Sequence, residues 1–202
     1  FQVGADSGET VSVSSIDSAR TTALGGSTSA TITSSAVNTT ATDGANVTIN
    51  GVAIAASADD GSGSANADAS AKAKAAAINA TSGTQVTAVA NATVEAGTVT
   101  SATNGNTVDL VINGVTVSQV GTTGAAATDT AAMKTAINAV SGSTGVVATG
   151  DNTTGLTLTA ADGRNITVAS TYSAGDGTQV GLDAAQTTTL GTITLSSTSS
   201  SI

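Results

Sequence analysis

Large apolar residues along this chain fall into two patterns that recur in the same order. In Val47-Thr48-Ile49-Asn50-Gly51-Val52-Ala53-Ile54 they alternate with small or polar residues on both sides of an Asn-Gly pair. A period of two is the mark of a half-buried strand, and Asn-Gly supplies the positive φ that a two-residue hairpin loop needs at both positions. Such a loop fixes the register. Ile49 opposes Val52 and Val47 opposes Ile54, which places these four on one face and Thr48 and Ala53 on the other. Leu110-Val111-Ile112-Asn113-Gly114-Val115-Thr116-Val117 repeats the arrangement, with Leu110, Ile112, Val115 and Val117 facing inward.

Each hairpin is followed by a Ser/Gly/Ala/Asp stretch and then by an Ala-rich segment ending Ala77-Ile78-Asn79-Ala80 or Ala136-Ile137-Asn138-Ala139. These segments predict one short helix per copy. Asn66, Asp68 or Ser70 caps the first, and Thr128 or Asp129 the second. Met133, Ala136, Ile137 and Val140 follow helical spacing and predict a stripe laid on the preceding hairpin. In the first copy Ile78 is the only large residue available, so its helix is expected to pack more weakly. The copies are offset by 113 − 50 = 63 at the turns and 137 − 78 = 59 at the helices, leaving four extra residues in the first between turn and helix. Ser82-Gly83 and Ser141-Gly142 are expected to end the helices, with a strand after each. Leu156-Thr157-Leu158 and Ile166-Thr167-Val168 flank Asp162-Gly163 and predict a third hairpin. The fold class expected is α+β, mostly β, built from two β-β-α-β units. The expected core is Ile49, Val52, Ile54, Ile78, Ile112, Val115, Val117, Met133 and Ile137.

Composition narrows the chemistry. Of 202 residues, Val, Ile, Leu and Phe contribute only 20, 10, 7 and 1, so most of the apolar content is Ala and the core is thin. The absence of Pro and the charged fraction of 9 % argue for order. His and Cys are absent, which removes zinc sites, thiol catalysis, disulfides and His-activated nucleophiles. Five Lys and Arg against 14 Asp and Glu give a net charge of −9 and little material for a nucleic-acid partner. No apolar run is long enough to span a bilayer, so no membrane partner is expected. The opening Phe1-Gln2-Val3, without Met or a signal segment, reads as part of a longer protein.

The ends of the chain carry a family resemblance. Phe1-Gln2-Val3-Gly4-Ala5-Asp6-Ser7-Gly8-Glu9-Thr10-Val11-Ser12-Val13, continuing to Arg20-Thr21-Thr22-Ala23-Leu24-Gly25, resembles the stretch in bacterial flagellins where the N-terminal part gives way to the variable outer region. The two central units look like the flagellin "IN" motif, and Leu190-Gly191-Thr192-Ile193-Thr194-Leu195-Ser196-Ser197 is similar to the return toward the C-terminal helices. The resemblance implies a secreted, extracellular structural protein of the flagellar filament, serving motility and displayed as an antigen. Its partners would be other flagellin subunits, engaged mainly through terminal helices that this chain lacks. On this reading residues 1–25 and 190–202 form a stalk, 26–104 the first outer unit (repeat 44–101) and 105–189 the second (repeat 105–170). Hook-associated or filament-cap proteins share the "IN" units, and a self-standing surface adhesin is a further reading.

Other candidate sites read more simply as structure. Asp59-Asp60, or Asp6 with Glu9, lack a neighbour placed to tune a catalytic pKa. Asp59, Asp60, Asp68 and Asp176 show no calcium-loop spacing, and Gly61-Ser62-Gly63 lacks the Lys of a phosphate loop. No enzyme activity, cofactor or metal is expected. Asn-x-Ser/Thr triplets at Asn38, Asn46, Asn79, Asn91, Asn152 and Asn165 read as chance in a Thr-rich chain, whereas the resemblance points to O-linked glycans on Ser or Thr. Arg20, Lys72, Lys74, Lys134 and Arg164 read as scattered, solvated charges.

Overall fold

The computed structural model describes residues 29–97, 105–172, 186–198 and 202. Its strands in chain order are β1 (Ala30–Thr33), β2 (Thr48–Ile49), β3 (Val52–Ala53), β4 (Val86–Ala90), β5 (Thr93–Ala96), β6 (Thr107–Ile112), β7 (Val115–Gly121), β8 (Val147–Asp151), β9 (Gly155–Ala160), β10 (Ile166–Tyr172), β11 (Thr187–Thr189) and β12 (Ile193–Ser197). The helices are α1 (Ala71–Ala80), α2 (Ala126–Ala139) and α3 (Ser141–Thr144), with a 3-10 turn at Ala67–Ala69. The fold is α+β and mostly β, with every strand pair antiparallel.

Both Asn-Gly pairs make the expected turns. Asn50 and Gly51 have φ of 51° and 78°, Asn113 and Gly114 of 48° and 76°. The registers are Ile49 with Val52 and Ile112 with Val115. Burial differs between the hairpins. Leu110, Ile112 and Val117 are fully buried, whereas in the first hairpin only Ile54 is, with Ile49 half-buried and Val47 38 % exposed. Val52 and Val115, expected in the core, sit half-buried at their turns.

The third hairpin does not form. β9 pairs with β5 and β8, while β10 pairs with β6 and β11. Asp162-Gly163 therefore turns the chain from one sheet into another. The reason is that Leu156, Leu158, Ile166 and Val168 are all fully buried in one cluster with Met133 and Ile137. Two strands that fill a core from opposite layers cannot also lie side by side in one sheet.

Pairing gives the three-stranded sheets β1-β12-β4 and β5-β9-β8 the same make-up. Each has the strand that precedes an Asn-Gly hairpin on one edge, the strand that follows the helix on the other, and a later strand between them. For the second sheet that central strand is the adjacent β9; for the first it is β12, from the far end of the sequence. Residues 93–96, expected with the first unit, thus lie in the second sheet, and 193–197, expected in a stalk, form the centre of the first. The N-terminal part of the expected stalk, 1–25, lies outside the described residues.

Helix limits also depart from expectation. Ser70 caps α1, its Oγ accepting from the Ala73 N–H at 3.0 Å. α2 starts at Ala126, earlier than Thr128 or Asp129 would set it. Asp129 acts from inside the first turn instead: its Oδ1 accepts from the Thr123 N–H at 2.8 Å and the Thr123 hydroxyl at 2.7 Å, satisfying donors ahead of the helix. Ser141-Gly142 opens the short α3 rather than ending the helical stretch, and Gly145, with φ of 69°, closes it.

Candidate functional site

The Asn residues of the two Ala-Ile-Asn-Ala segments tie helix to sheet in both halves. Asn79 Nδ2 donates to the Ala88 carbonyl and its Oδ1 accepts from the Ala88 N–H, both at 2.8 Å. Asn138 does the same with Ala148, at 3.0 and 2.8 Å. A side-chain amide thus takes the place of a neighbouring strand's peptide group, so the backbone of Ala88 and Ala148 is satisfied away from water. The turn residues add a second matched pair: Asn50 Nδ2 donates to the Thr84 carbonyl at 2.9 Å and Asn113 Nδ2 to that of Thr144 at 3.0 Å.

The seam between the halves is polar and close. Asp162 accepts from Lys72 Nζ at 2.9 Å and from Arg164 Nη2 at 2.7 Å. Burial pushes the Asp162 carboxyl up, but the hydrogen bonds from Arg164 and Lys72 outweigh it and hold the group well below the usual carboxylate range. Asn165, fully buried, donates to the carbonyls of Ala65 and Asn66 at 3.1 and 3.0 Å. Gly63 has φ of +68°, and a Cβ there would lie 2.7 Å from the Asn113 carbonyl oxygen, so the Gly-rich string is a packing contact.

The described basic residues are thus not simply solvated charges. Besides Lys72 and Arg164, Lys74 donates to the Asn38 carbonyl and Oδ1 at 2.8 and 2.7 Å, and Lys134 to the Gly150 carbonyl at 3.0 Å. Burial pushes the Lys74 ammonium down, with Asp68 opposing. Arg20 lies outside the described residues. The acids singled out by sequence serve turns: Asp59 accepts from the Gly61 N–H at 2.7 Å, and Asp60 from the Ser62 N–H at 2.9 Å and the Ser70 hydroxyl at 2.5 Å. Among the described residues no group of three acids could hold a metal; Asp6, Glu9 and Asp176 lie outside them. Asn91 and Asn165 also have their amides engaged internally, Asn91 with Thr192 and Thr194.

An apolar groove of about 530 Å³ lies in the first half. Ile32, Val47, Ile49, Ile78, Ile193 and Leu195 supply its apolar lining, from β1, the first hairpin, α1 and β12. Sequence reading missed it because it arises where a hairpin face lacks cover, which a local pattern does not show.

No known protein family has a model that matches this chain, and no curated protein matches it.

Proposed function

We propose that this chain is the surface-exposed outer part of a bacterial flagellin, a structural element of the filament with no catalytic role. The two halves are copies of one β-β-α-β unit of the "IN" type, and residues 1–25 and the chain beyond β12 lead toward the filament core. The observation that carries this reading, beside the resemblance of Phe1–Gly25, is the antiparallel pairing of β1 with β12, Ala30 opposite Ser197. It brings the two flanks of the domain together at one end, as a module projecting from a two-stranded stalk requires. An acidic surface rich in Ser and Thr suits dense display on a polymer, because like-charged neighbours repel. Other flagellin subunits are its partners, and exposed Ser and Thr are the sites for O-linked glycans.

Intact mass and electron microscopy of the native protein sheared from the source cell test the reading. Filaments whose subunit mass is far above 18.9 kDa are expected, and any mass beyond that of the gene product reports glycans. A monomer near 18.9 kDa with no filament would favour the adhesin instead.

A further inference from the structure

Three Asn-Gly pairs occur in the chain. Asn104, which precedes Gly105, lies outside the described residues; the other two pairs form matching two-residue turns within the same four residues, Ile49-Asn50-Gly51-Val52 and Ile112-Asn113-Gly114-Val115. Backbone conformation does not tell them apart, since Asn50 and Asn113 share a left-handed φ of 51° and 48°. Their surroundings do. Asn113 is 2 % exposed and both ends of its amide are engaged, Nδ2 donating to the Thr144 carbonyl at 3.0 Å and Oδ1 accepting from the Thr167 N–H at 2.9 Å. Its own N–H donates to the Thr167 carbonyl at 3.0 Å, and a Cβ on Gly114 would meet the Gly63 carbonyl oxygen at 3.3 Å. Asn50 is exposed; its Nδ2 donates to the Thr84 carbonyl, and its Oδ1 has no partner among the described residues. Apart from its chain neighbours, nothing lies within 4 Å of where a Cβ on Gly51 would stand.

We infer that Asn50 is a site of spontaneous covalent modification, converting to aspartate and isoaspartate through a cyclic imide with Gly51, and that the fold protects Asn113 from the same reaction. The Gly51 nitrogen loses its proton to solvent and attacks Cγ of Asn50. The N–Cγ bond forms, the Cγ–Nδ2 bond breaks, and Nδ2 leaves as ammonia after taking a proton from solvent. Water then opens the imide at one of its two carbonyls, giving either an aspartate or a main chain that runs through the side-chain carbon. Glycine suits the step because it has no Cβ to obstruct the approach of its nitrogen. To close the ring, each Asn side chain must turn toward the glycine nitrogen and release its partners. For Asn50 that is one bond at the surface, where water replaces it; for Asn113 it is two bonds in an interior that offers no replacement. Both products change the first hairpin. Aspartate sets a carboxylate oxygen where Nδ2 met the Thr84 carbonyl, so the turn loses its tie to the loop after α1. Isoaspartate adds a methylene to the main chain, and a two-residue loop lengthened in this way no longer holds Ile49 opposite Val52. The inference rests on the geometry of the two turns and not on the flagellin reading.

The test incubates the whole chain for several weeks in warm, mildly alkaline buffer, beside a sample unfolded in guanidinium chloride, and follows each Asn-Gly peptide by mass spectrometry with fragmentation that separates isoaspartate from aspartate. In the folded chain the Asn50 peptide is expected to gain about 1 Da. Its rate is expected to exceed that of the Asn113 peptide at least about tenfold, the factor that one retained buried hydrogen bond supplies. Because the four residues of each turn are the same, the two rates are expected to become nearly equal on unfolding. Equal rates in the folded chain, or faster conversion at Asn113, would overturn the proposal. So would an Asn50 that stays intact in the folded chain while the unfolded sample converts. Hydrogen exchange on the converted protein is expected to quicken at Ile49 and Val52 and to stay unchanged at Ile112 and Val115; a first hairpin that exchanges as before would overturn the stated consequence for the fold.

Discussion

Asn138 shows how one side chain can hold an element in place. Asn138→Ala leaves both the N–H and the carbonyl of Ala148 without their partner, and Ala148 is only 2 % exposed. The expected loss is about 2–3 kcal/mol in a urea titration, with Asn138→Asp losing less because its carboxylate still accepts from the Ala148 N–H. Equal losses for the two variants would show that the donated bond carries the whole effect. Asp162 makes a pH-dependent contribution. Its folded pKa is depressed by Arg164 and Lys72, so its stabilisation is full above the unfolded value near ~4 and is lost as pH falls below it. Partial exposure screens the pair, so Asp162→Asn is expected to cost about 1 kcal/mol at pH 7, with the difference from the parent vanishing in acid. These roles were hard to read from sequence for a definite reason. The Asn-Gly turns are local, and two residues suffice to specify them; the bonds of Asn79, Asn138 and Asp162 depend on which strand or helix comes alongside. Recurrence of Ala-Ile-Asn-Ala was the available sign, because helix propensity alone gives no reason to place Asn at that point twice.

At the scale of elements, α1 and α2 occupy matching places with different cores. Ile137 is fully buried in a cluster that includes Met133, Leu110, Ile112, Leu156 and Leu158, whereas Ile78 packs mainly against alanines, Ile54 and Ile193, beside the groove. Ile137→Ala is expected to cost toward the upper part, and Ile78→Ala toward the lower part, of the ~2–5 kcal/mol range for such truncations. Equal losses by denaturant titration would contradict this core assignment. The two helices also begin differently. Asn79 and Asn138 align at an offset of 59, which sets the 3-10 turn at Ala67–Ala69 against the start of α2 at Ala126. Ser70, extended at φ −62° and ψ 159°, interrupts the first helix where the second runs on. Hairpins and helices were legible because their periodicity lies within a few residues. The failed third hairpin was not: Asp-Gly between two alternating segments fits either a hairpin or a corner between layers, and only the placement of four large side chains in one core decides between them.

For the whole molecule, acid is the expected weak point. Asp43 and Asp151 are held below the usual carboxylate range by backbone N–H groups of Ala45 and Asn46, and of Thr154 and Thr153, in the same direction as Asp162. With no His in the chain, no side chain with an unperturbed pKa titrates between about pH 5 and 8. A thermal midpoint flat across that window and falling below about pH 4 is expected; a marked slope near pH 6.5 would contradict it. Truncation after Thr189 would remove β12 and is expected to abolish amide protection in β1 and β4 while leaving β6, β7 and β8 protected. Uniform loss would show that the halves unfold as one unit. The central position of β12 also bears on the order in which the molecule acquires its structure. β4 meets β12 across 193 − 90 = 103 residues, whereas β5, β8 and β9 meet within 93–160. Closing the longer loop costs more chain entropy and comes later. During synthesis from the N-terminal side, β5, β8 and β9 would therefore come together first, while β1 and β4, although made earlier, would wait for β12.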